Sequence, residues 1–285
     1  MNQKEVPQIF DTHAQALARR RAKTRMGKTG PSFLLNRSAE DAASRIADIN
    51  RQCERGAIIS AIDMRHTILA DLPKTRHPKT FEWHETPQTL DGEYDLIIDL
   101  LNLQSENDLP NALRLIRSKL KADGLFMAAL FGGDTLTNLR QTFYQIDQMV
   151  FKGATARVYP MIDHQQAAGL LGHAGLNLPV VDKDRVSVSY KNFMTLVNDL
   201  RDLALTNTLL ARHKKRFPKG ILQLIETAYP KTEDGKYSAQ FEILWLTGWS
   251  PHESQQKPLK PGSAKTSLAE SLRGIRDKKE GEDTL

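Results

Sequence analysis

Residues 94–136 read YDLIIDLLNLQSENDLPNALRLIRSKLKADGLFMAALFGGDTL, and they contain the clearest secondary-structure pattern of the chain. It opens with YDLIIDLL, an apolar run of strand length that is rich in branched side chains. Residues 108–120 then carry apolar side chains at helical spacing, and Asp108 is placed to cap that helix. A Lys-Ala-Asp-Gly turn leads into a second apolar run, LFMAAL. Strand, helix and strand in this order predict a right-handed βαβ unit and hence a parallel sheet.

Upstream of this unit, residues 10–52 have a helical pattern that is interrupted at Gly27–Pro31. The sequence Ser-Ala-Glu-Asp from Ser38 onward offers a cap with acidic residues in the first turn, so we expect the second helix to begin there. Its apolar stripe should cover one face of the sheet. The short apolar run Ala57–Ile62 predicts another strand.

Downstream, the pattern alternates between helices and two long strands. We expect helices over residues 136–150, 165–174, 193–210 and 220–229, and strands over residues 180–190 and 239–249. Gly175 is placed to end the second of these helices. The last strand, AQFEILWLTGW, is rich in aromatic and branched residues, and we expect it to close the sheet as part of an antiparallel hairpin. Its Trp245, Trp249 and Phe241 are expected in the core.

Composition sets broad limits on the kind of protein. The chain has 285 residues, 40% of them hydrophobic, which is enough for one large core. Its apolar stretches fall well short of the ~20 residues that a membrane-spanning helix needs, and the amino terminus lacks the pattern of a secretory signal. Cys53 is the only cysteine, so no intramolecular disulfide is possible. We therefore expect a cytoplasmic protein without a membrane span.

Basic residues cluster at two places. The net charge is +6, and residues 1–30 contain seven basic side chains against two acidic ones. A second cluster, Arg-His-Lys-Lys-Arg, occupies residues 212–216. Such clusters fit either a solvated helix face or contact with phosphate or an acidic partner, and we expect the first cluster to act in such contacts rather than in folding. No nucleic-acid-binding motif accompanies them, so nucleic acid is not the expected partner.

Several short motifs are incomplete. Met-Gly-Lys-Thr at residues 26–29 ends like a phosphate-binding P-loop, but Ala22 stands where its first glycine should be. The histidines do not have the spacing of a zinc-protease motif, and no metal site is expected. There is no Gly-x-Ser-x-Gly sequence, and Cys53 fits a core position better than a nucleophile.

The sequence resembles that of class I S-adenosylmethionine-dependent methyltransferases. The resemblance is carried by residues 94–136 and by LFGGDTLTNLR, LLGHAGLN, VDKDRVSVSY and LTGWSPHESQQKPLKPGSA further on, with IFDTHAQALARRRA near the amino terminus. Within the class, these segments are similar to the group of mitochondrial complex I assembly factor 5 and its bacterial relatives, which are also labelled as relatives of malonyl-acyl-carrier-protein O-methyltransferase. The match covers most of the chain.

The resemblance implies a Rossmann-like α/β fold with a mostly parallel twisted sheet, helices on both faces, an antiparallel closing strand and a helical amino-terminal extension. It divides the chain into three parts. We expect a basic helical arm at residues 1–36, a methyltransferase-like domain at residues 37–250 with a helical insertion at about residues 191–230, and a strap with a loose tail at residues 251–285.

The resemblance also implies a cofactor, S-adenosylmethionine, and the residues that would hold it. They lie after the first strand and at the end of the strand of residues 94–101: Asp63, Arg65, Thr67, Asp99, Leu100 and Asn102. The family has Asp-Leu-Gly-Cys-Gly-x-Gly after its first strand, whereas here the segment reads AIDMRHT, without a glycine. Glycine permits the tight turn and lets backbone amides approach the cofactor. We therefore expect a degenerate cofactor loop.

Two further parts of the site follow from the resemblance. Glu82 or Glu85 could bind the ribose hydroxyls by position, but we assign residues 81–85 to the third strand of the sheet and its loop. The turn Gly132, Gly133, Asp134 and Thr135 lies at a carboxyl strand end, where open α/β sheets bind ligands, and we assign it to substrate or partner contact. Its alternative role is a helix start capped by Asp134 or Thr135.

Three functions stay open at this point. The first is a methyltransferase-family protein that acts as an assembly or scaffold factor, with a peripheral-arm subunit of respiratory complex I as the partner that the resemblance implies. The second is an active S-adenosylmethionine-dependent methyltransferase with an atypical loop. The third is a basic RNA-associated protein. For the mammalian relative the resemblance implies arginine hydroxylation, a chemistry for which the sequence offers no metal or flavin motif.

Overall fold

A six-stranded sheet forms the centre of the molecule. The computed structural model describes residues 6–213 and 217–256. The strands are β1 (Arg55–Ile59), β2 (Thr80–His84), β3 (Tyr94–Leu100), β4 (Leu120–Phe131), β5 (Asn177–Tyr190) and β6 (Tyr237–Trp249). They are arranged in the order β2-β1-β3-β4-β6-β5. The first four are parallel, and β6 runs antiparallel to both of its neighbours. The expected α/β fold with an antiparallel closing strand is confirmed.

Helices cover both faces of the sheet. They are α1 (Thr12–Thr29), α2 (Phe33–Ala47), α3 (Arg65–Asp71), α4 (Leu109–Ser118), α5 (Thr137–Phe151), α6 (His164–His173), α7 (Phe193–Asp202) and α8 (Ile221–Ala228). One hydrophobic cluster joins the sheet to α1, α2, α3, α5, α7 and α8, and a second joins it to α4 and α6. The sheet is therefore buried on both sides, as parallel sheets require.

The central strand β3 shows why the two clusters form. Leu96 and Ile98 belong to the first cluster, and Ile97 between them belongs to the second. Alternate side chains of a strand point to opposite faces, so a continuous apolar run packs against helices on both sides. This explains why Leu96, Ile97 and Ile98 are consecutive apolar residues in the middle of the strand.

Local signals place several helix ends. Asp108 caps α4 by accepting a hydrogen bond from the Asn111 amide at 2.9 Å. Gly175 follows α6 with a φ of +80°, a conformation that glycine adopts without strain. Both positions confirm the expectations from sequence.

Two helix boundaries differ from those expected. α2 begins at Phe33 rather than near Ser38, because Ser32 caps it after the break at Gly30. The Ser38 hydroxyl instead donates to the Leu34 carbonyl inside the helix, at 2.8 Å. α7 ends at Asp202 rather than at residue 210, since Ala204 has a φ of +56° that a helix cannot accommodate.

The assignment of residues 81–85 to a third strand is wrong. Residues 81–84 lie in β2, which pairs directly with β1 in parallel and so takes the place of the second strand, at the edge of the sheet. The residues between β1 and β2 leave room for only the short helix α3 and a single-turn helix at Lys74–Arg76.

Trp245 and Phe241 lie in the core as expected, and Trp249 packs against it.

No described helix is long and apolar enough to cross a membrane. The larger compact unit of the chain ends at Pro251. The described residues of the second unit, 252–256, include a contact of 2.7 Å between His252 Nδ1 and the Ser254 hydroxyl. The rest of the expected strap and tail lies outside the described residues, as do positions 214–216 of the second basic cluster.

The junction between β4 and β6 gives a stability prediction. A Cβ added at Gly132 would lie 2.5 Å from Glu242 Oε1 and 2.9 Å from Leu244 Cγ, whereas one at Gly133 would meet only the Ile162 carbonyl oxygen, at 3.9 Å. We expect Gly132→Ala to lower the free energy of unfolding by about 1–3 kcal/mol, as overpacked sites do, and Gly133→Ala to leave it nearly unchanged. Urea denaturation of both variants measures this. Equal stabilities would show that the junction adapts and is not tightly packed.

Candidate cofactor cleft at the carboxyl ends of the parallel strands

The carboxyl ends of the four parallel strands meet at one edge of the sheet, which is where ligands bind in open α/β folds. Ile59 at the end of β1 lies opposite Asp99 of β3, and Asp99 lies opposite Ala128 of β4. The structure therefore brings the segments that follow β1, β3 and β4 to this edge. Most of the residues expected to bind a cofactor or substrate belong to these three segments.

An ion pair shapes the turn after β1. The Arg65 side chain donates to both carboxylate oxygens of Asp63, at 2.7 and 2.9 Å, and the Arg65 amide donates to the same carboxylate at 3.0 Å. Hydrogen bonds from Arg65 hold the pKa of Asp63 below its usual range. Arg65 Nη1 also donates to the Phe81 carbonyl of β2 at 2.8 Å. The turn thus has its own internal hydrogen bonds in place of exposed glycine amides.

The side chains after Arg65 belong to a short helix. α3 begins at Arg65, so Thr67, another expected cofactor residue, lies half-buried in its first turn, and His66 is exposed. Ile68 is fully buried and anchors α3 in the core. Arg65 and Thr67 thus follow β1 at the carboxyl edge of the sheet, and their role in binding a cofactor stays a prediction.

The loop after β3 contains polar atoms buried without partners. Asp99 is fully buried, and its Oδ1 accepts hydrogen bonds from the amides of Asn102 and Leu103 at 3.2 and 3.1 Å. Burial raises the pKa of Asp99 to about 7. Within the described part of the chain, Asp99 Oδ2, Asn102 Nδ2 and Gln104 Oε1 have no hydrogen-bond partner. Leu100 packs in the hydrophobic core.

Helix α1 covers this loop, an arrangement that sequence reasoning missed. Gln15 Nε2 donates to the Ser105 carbonyl at 2.6 Å, and Arg19 Nη2 donates to the Ser105 hydroxyl at 3.2 Å. Just before α1, the amides of Ile9 and Phe10 both donate to Asn107 Oδ1 at 2.8 Å. The space that remains between α1 and the loop is a cavity of about 20 Å³.

The same helix also reaches β2. Lys23 lies 4.8 Å from the centre of the Trp83 ring, and Trp83 Nε1 donates to the Ser60 carbonyl at 3.1 Å. Arg25 forms an ion pair with Asp202 of α7 at 2.5 Å. Three of the arm's basic residues, Arg19, Lys23 and Arg25, therefore contact the rest of the domain. The expectation that the arm's cations serve a partner rather than the fold is wrong for them.

The two acidic residues considered for the ribose have different positions. Glu82 lies within β2 and accepts hydrogen bonds from Arg55 at 2.7 Å and from the Tyr94 hydroxyl at 3.0 Å. The Arg55 guanidinium holds the pKa of Glu82 below its usual range. Glu85 directly follows β2, at the carboxyl edge, and is half-buried. Only Glu85 is placed to face a ligand at that edge.

The turn after β4 is tied to the closing strand. The Thr135 hydroxyl donates to the Glu242 carbonyl and accepts from the Glu242 amide, both at 3.0 Å, and the Gly132 amide donates to the same carbonyl at 2.8 Å. Asp134 is exposed and pairs with Arg185 of β5 at 3.1 Å. The alternative that Asp134 or Thr135 caps α5 is wrong, because Leu136 occupies the cap position and no side-chain cap bond is present there.

Among residues 6–213 and 217–256, no group of three His, Cys, Asp or Glu side chains is placed to hold a metal ion. Cys53 is partly buried, and this burial raises the pKa of its thiol.

The strand order and the layout of the carboxyl edge define a class I methyltransferase-like α/β protein. The chain is 37% identical over 185 residues to the arginine-hydroxylase NDUFAF5, mitochondrial, of Danio rerio, a match that covers 63% of this chain and 57% of that protein. It is 28% identical over 233 residues to the malonyl-[acyl-carrier protein] O-methyltransferase of Xylella fastidiosa, covering 79% and 76%. These matches confirm the resemblance inferred from the sequence.

The chain spans about half the length of the relatives named arginine-hydroxylase NDUFAF5. A solved structure of the 1,6-didemethyltoxoflavin-N1-methyltransferase of Burkholderia thailandensis, with S-adenosylhomocysteine bound, matches with a TM-score of 0.45 at 14% identity over 87% of this chain and 94% of that one. No family model matches the chain.

The buried carboxyl group gives a prediction about pH. Because the pKa of Asp99 is raised on folding to about 7, its protonated form favours the native state. That contribution is complete below about pH 4 and is lost as the pH rises through 7. Asparagine does not ionise, so the Asp99→Asn variant should not lose stability in this way. The free energy of unfolding of the variant minus that of the parent protein should therefore increase between pH 4 and 7.5, by at most about 1.4 kcal/mol per pH unit.

Asp63→Asn is the matched control, because the pKa of Asp63 is lowered on folding. Its effect has the opposite sign: the Asp63 contribution is present at neutral pH and disappears as the pH falls below about 4. Urea titrations at several pH values measure both differences. A stability difference for Asp99→Asn that does not change with pH would show that Asp99 ionises normally.

Proposed function

We propose that this protein is a methyltransferase-family scaffold or assembly factor whose cofactor loop is degenerate. The observation that supports this most directly is the Asp63–Arg65 pair. Arg65 donates to Asp63 and to the Phe81 carbonyl, so its side chain occupies the turn between β1 and β2. In the related methyltransferases this turn presents glycine amides to S-adenosylmethionine, the cofactor that the family resemblance implies.

The size of the cleft supports the same proposal. The cavity between α1 and the loop after β3 measures about 20 Å³, whereas pockets for molecules of cofactor size measure roughly 300–1,000 Å³. S-adenosylmethionine could enter this cavity only if α1 moved away from Ser105, and to contact the backbone of the turn after β1 it would also have to displace Arg65 from Asp63. Both movements break hydrogen bonds that the free protein already has, which weakens binding by the free energy of those bonds.

The client proposed here is a peripheral-arm subunit of respiratory complex I, and it rests on the resemblance to NDUFAF5. The turn Gly132–Thr135 is the proposed contact for a substrate or partner, with Gly133 and Asp134 as its exposed residues. A cytoplasmic location also belongs to the proposal, since Cys53 is the only cysteine. The domain boundaries at residues 36 and 250 remain predictions.

An active S-adenosylmethionine-dependent methyltransferase is the second candidate, and one observation favours it. Asp99 Oδ2, Asn102 Nδ2 and Gln104 Oε1 are buried without partners in the described part of the chain. Buried polar atoms are nearly always paired, so such a group fits a ligand that completes it. Under this alternative, α1 opens as a lid and closes over the bound cofactor.

Titration calorimetry with S-adenosylmethionine separates the two candidates. We expect no binding tighter than about 1 mM to the parent protein. The double variant Gln15→Ala/Arg19→Ala releases α1 from Ser105, and Arg65→Gly frees the turn after β1, so binding that appears only in these variants locates the obstruction. Micromolar affinity in the parent protein would contradict the proposed scaffold and support the enzyme.

Complementation tests the assembly role in cells. We expect deletion of the gene in its host to reduce assembled complex I, and Asn102→Ala, which removes an unpaired buried amide, to restore it as well as the parent gene does. Blue native gels report the amount of assembled complex. If Asn102→Ala is folded and present at normal levels but fails to restore assembly, the cleft performs chemistry and the scaffold proposal is wrong.

A further inference from the structure

A cavity with mostly apolar walls, open to solvent, lies between α5, α7 and the segment that precedes α6. It measures about 250 Å³, and its walls include Leu139, Phe143, Val158, Met161, Val197 and Leu200. Its polar lining residues are Arg157, Tyr159, Arg201, Thr206 and Asn207. The apolar side chains that line a concave, solvent-accessible cavity favour an apolar ligand, because binding removes both apolar surfaces from water.

A basic groove adjoins this cavity. The groove, of about 460 Å³, lies between α1 and α7 and is lined by Arg20, Arg21 and Arg201 together with Leu17 and Thr24. In the described part of the chain, none of these three arginines forms an ion pair. Their neighbour Arg25, by contrast, is held by Asp202. The groove therefore presents uncompensated positive charge, which attracts carboxylate or phosphate groups.

The cavity and the groove meet at two residues. Arg201 and Thr206 line both of them. A ligand could therefore place an apolar part in the cavity and an anionic part in the groove without a break between them. Arg20 and Arg21 lie on the exposed face of α1 and form no ion pair within the described part of the chain. In this arrangement they would bind the anionic part of the ligand.

Tyr159 and Leu205 separate the cavity from the cofactor cleft, because both residues line the two spaces. The Tyr159 hydroxyl lies 2.6 Å from the Thr208 hydroxyl and donates to the Thr206 carbonyl at 3.0 Å. These contacts hold the Tyr159 side chain in place between the two spaces. A ligand in the cavity would bind independently of the Asp63–Arg65 turn.

We propose that this cavity and groove form a binding site for a single-chain anionic amphiphile, with the alkyl chain among Leu139, Val197 and Leu200 and the carboxylate or phosphate head at Arg20, Arg21 and Arg201. The apolar walls favour ligands with an alkyl chain, and the guanidinium groups favour ligands with a negatively charged head group. This site goes beyond the proposed scaffold function and does not depend on it.

Calorimetry with dodecanoate, dodecyl phosphate, dodecanol and inorganic phosphate tests the site. We expect dodecanoate or dodecyl phosphate to bind at least tenfold more tightly than dodecanol, and inorganic phosphate alone to bind weakly. The stronger of the two anionic ligands identifies the head group. Equal affinity of dodecanol and both anions, or no binding of any alkyl ligand, would overturn the proposal.

Matched variants locate the binding. Val197→Trp fills the cavity and should reduce the affinity for the anionic ligand at least tenfold, whereas Leu222→Trp, on the exposed face of α8, should not.

The surface variant Arg20→Glu/Arg21→Glu should lower the affinity for the anionic ligand but not the affinity for dodecanol, and Arg114→Glu on α4 is its control. The charge variants change only exposed residues, so they test the site even if Val197→Trp fails to fold. Unchanged affinity in Arg20→Glu/Arg21→Glu would contradict the assigned head-group position.

Discussion

The ion pair between Asp63 and Arg65 determines how the chain leaves β1, and the layout of the carboxyl edge depends on it. The two side chains are 41% and 40% exposed, so the pair contributes at most about 1 kcal/mol to stability. Its importance is geometric. Together with the hydrogen bond from Arg65 to the Phe81 carbonyl and that from Trp83 to the Ser60 carbonyl, it ties the turn to β2.

Helix α1 lies over the carboxyl edge of the sheet. It contacts the β2 side through Lys23 and Trp83 and the β3 side through Gln15 and Ser105, and it thereby covers the ends of both strands. Covering the edge excludes water from the loop after β3. This exclusion explains why the pKa of the buried Asp99 is raised and why several polar atoms nearby lack partners. The covering helix and the raised pKa of Asp99 thus belong together, because α1 lies over the loop in which Asp99 is buried.

The sequence predicted the elements whose signals are local. The parallel unit β3-α4-β4, the caps at Asp108 and Gly175 and the antiparallel β6 follow from apolar periodicity and from single capping residues. The place of β2 could not be predicted in the same way, because which strand it pairs with depends on β1, about twenty residues earlier. The end of α7 depends on the backbone of Ala204, for which alanine gives no signal.

The sequence predicted which residues lie near the carboxyl edge of the sheet but not the contacts that they make there, and their role as a binding site stays a prediction. Asp63 and Asp99 lie at the edge where the resemblance placed them, but nothing in the sequence shows that Arg65 turns back onto Asp63 or that Gln15 reaches Ser105. Those contacts join residues whose types are common on any surface.

A crystal structure of the protein grown with millimolar S-adenosylhomocysteine tests the closed cleft most directly. We expect Arg65 to remain bound to Asp63, Gln15 to remain bound to Ser105 and no ligand density to lie between α1 and the loop after β3. Density for an adenosyl group beside Asn102, with Arg65 displaced from Asp63, would contradict this expectation.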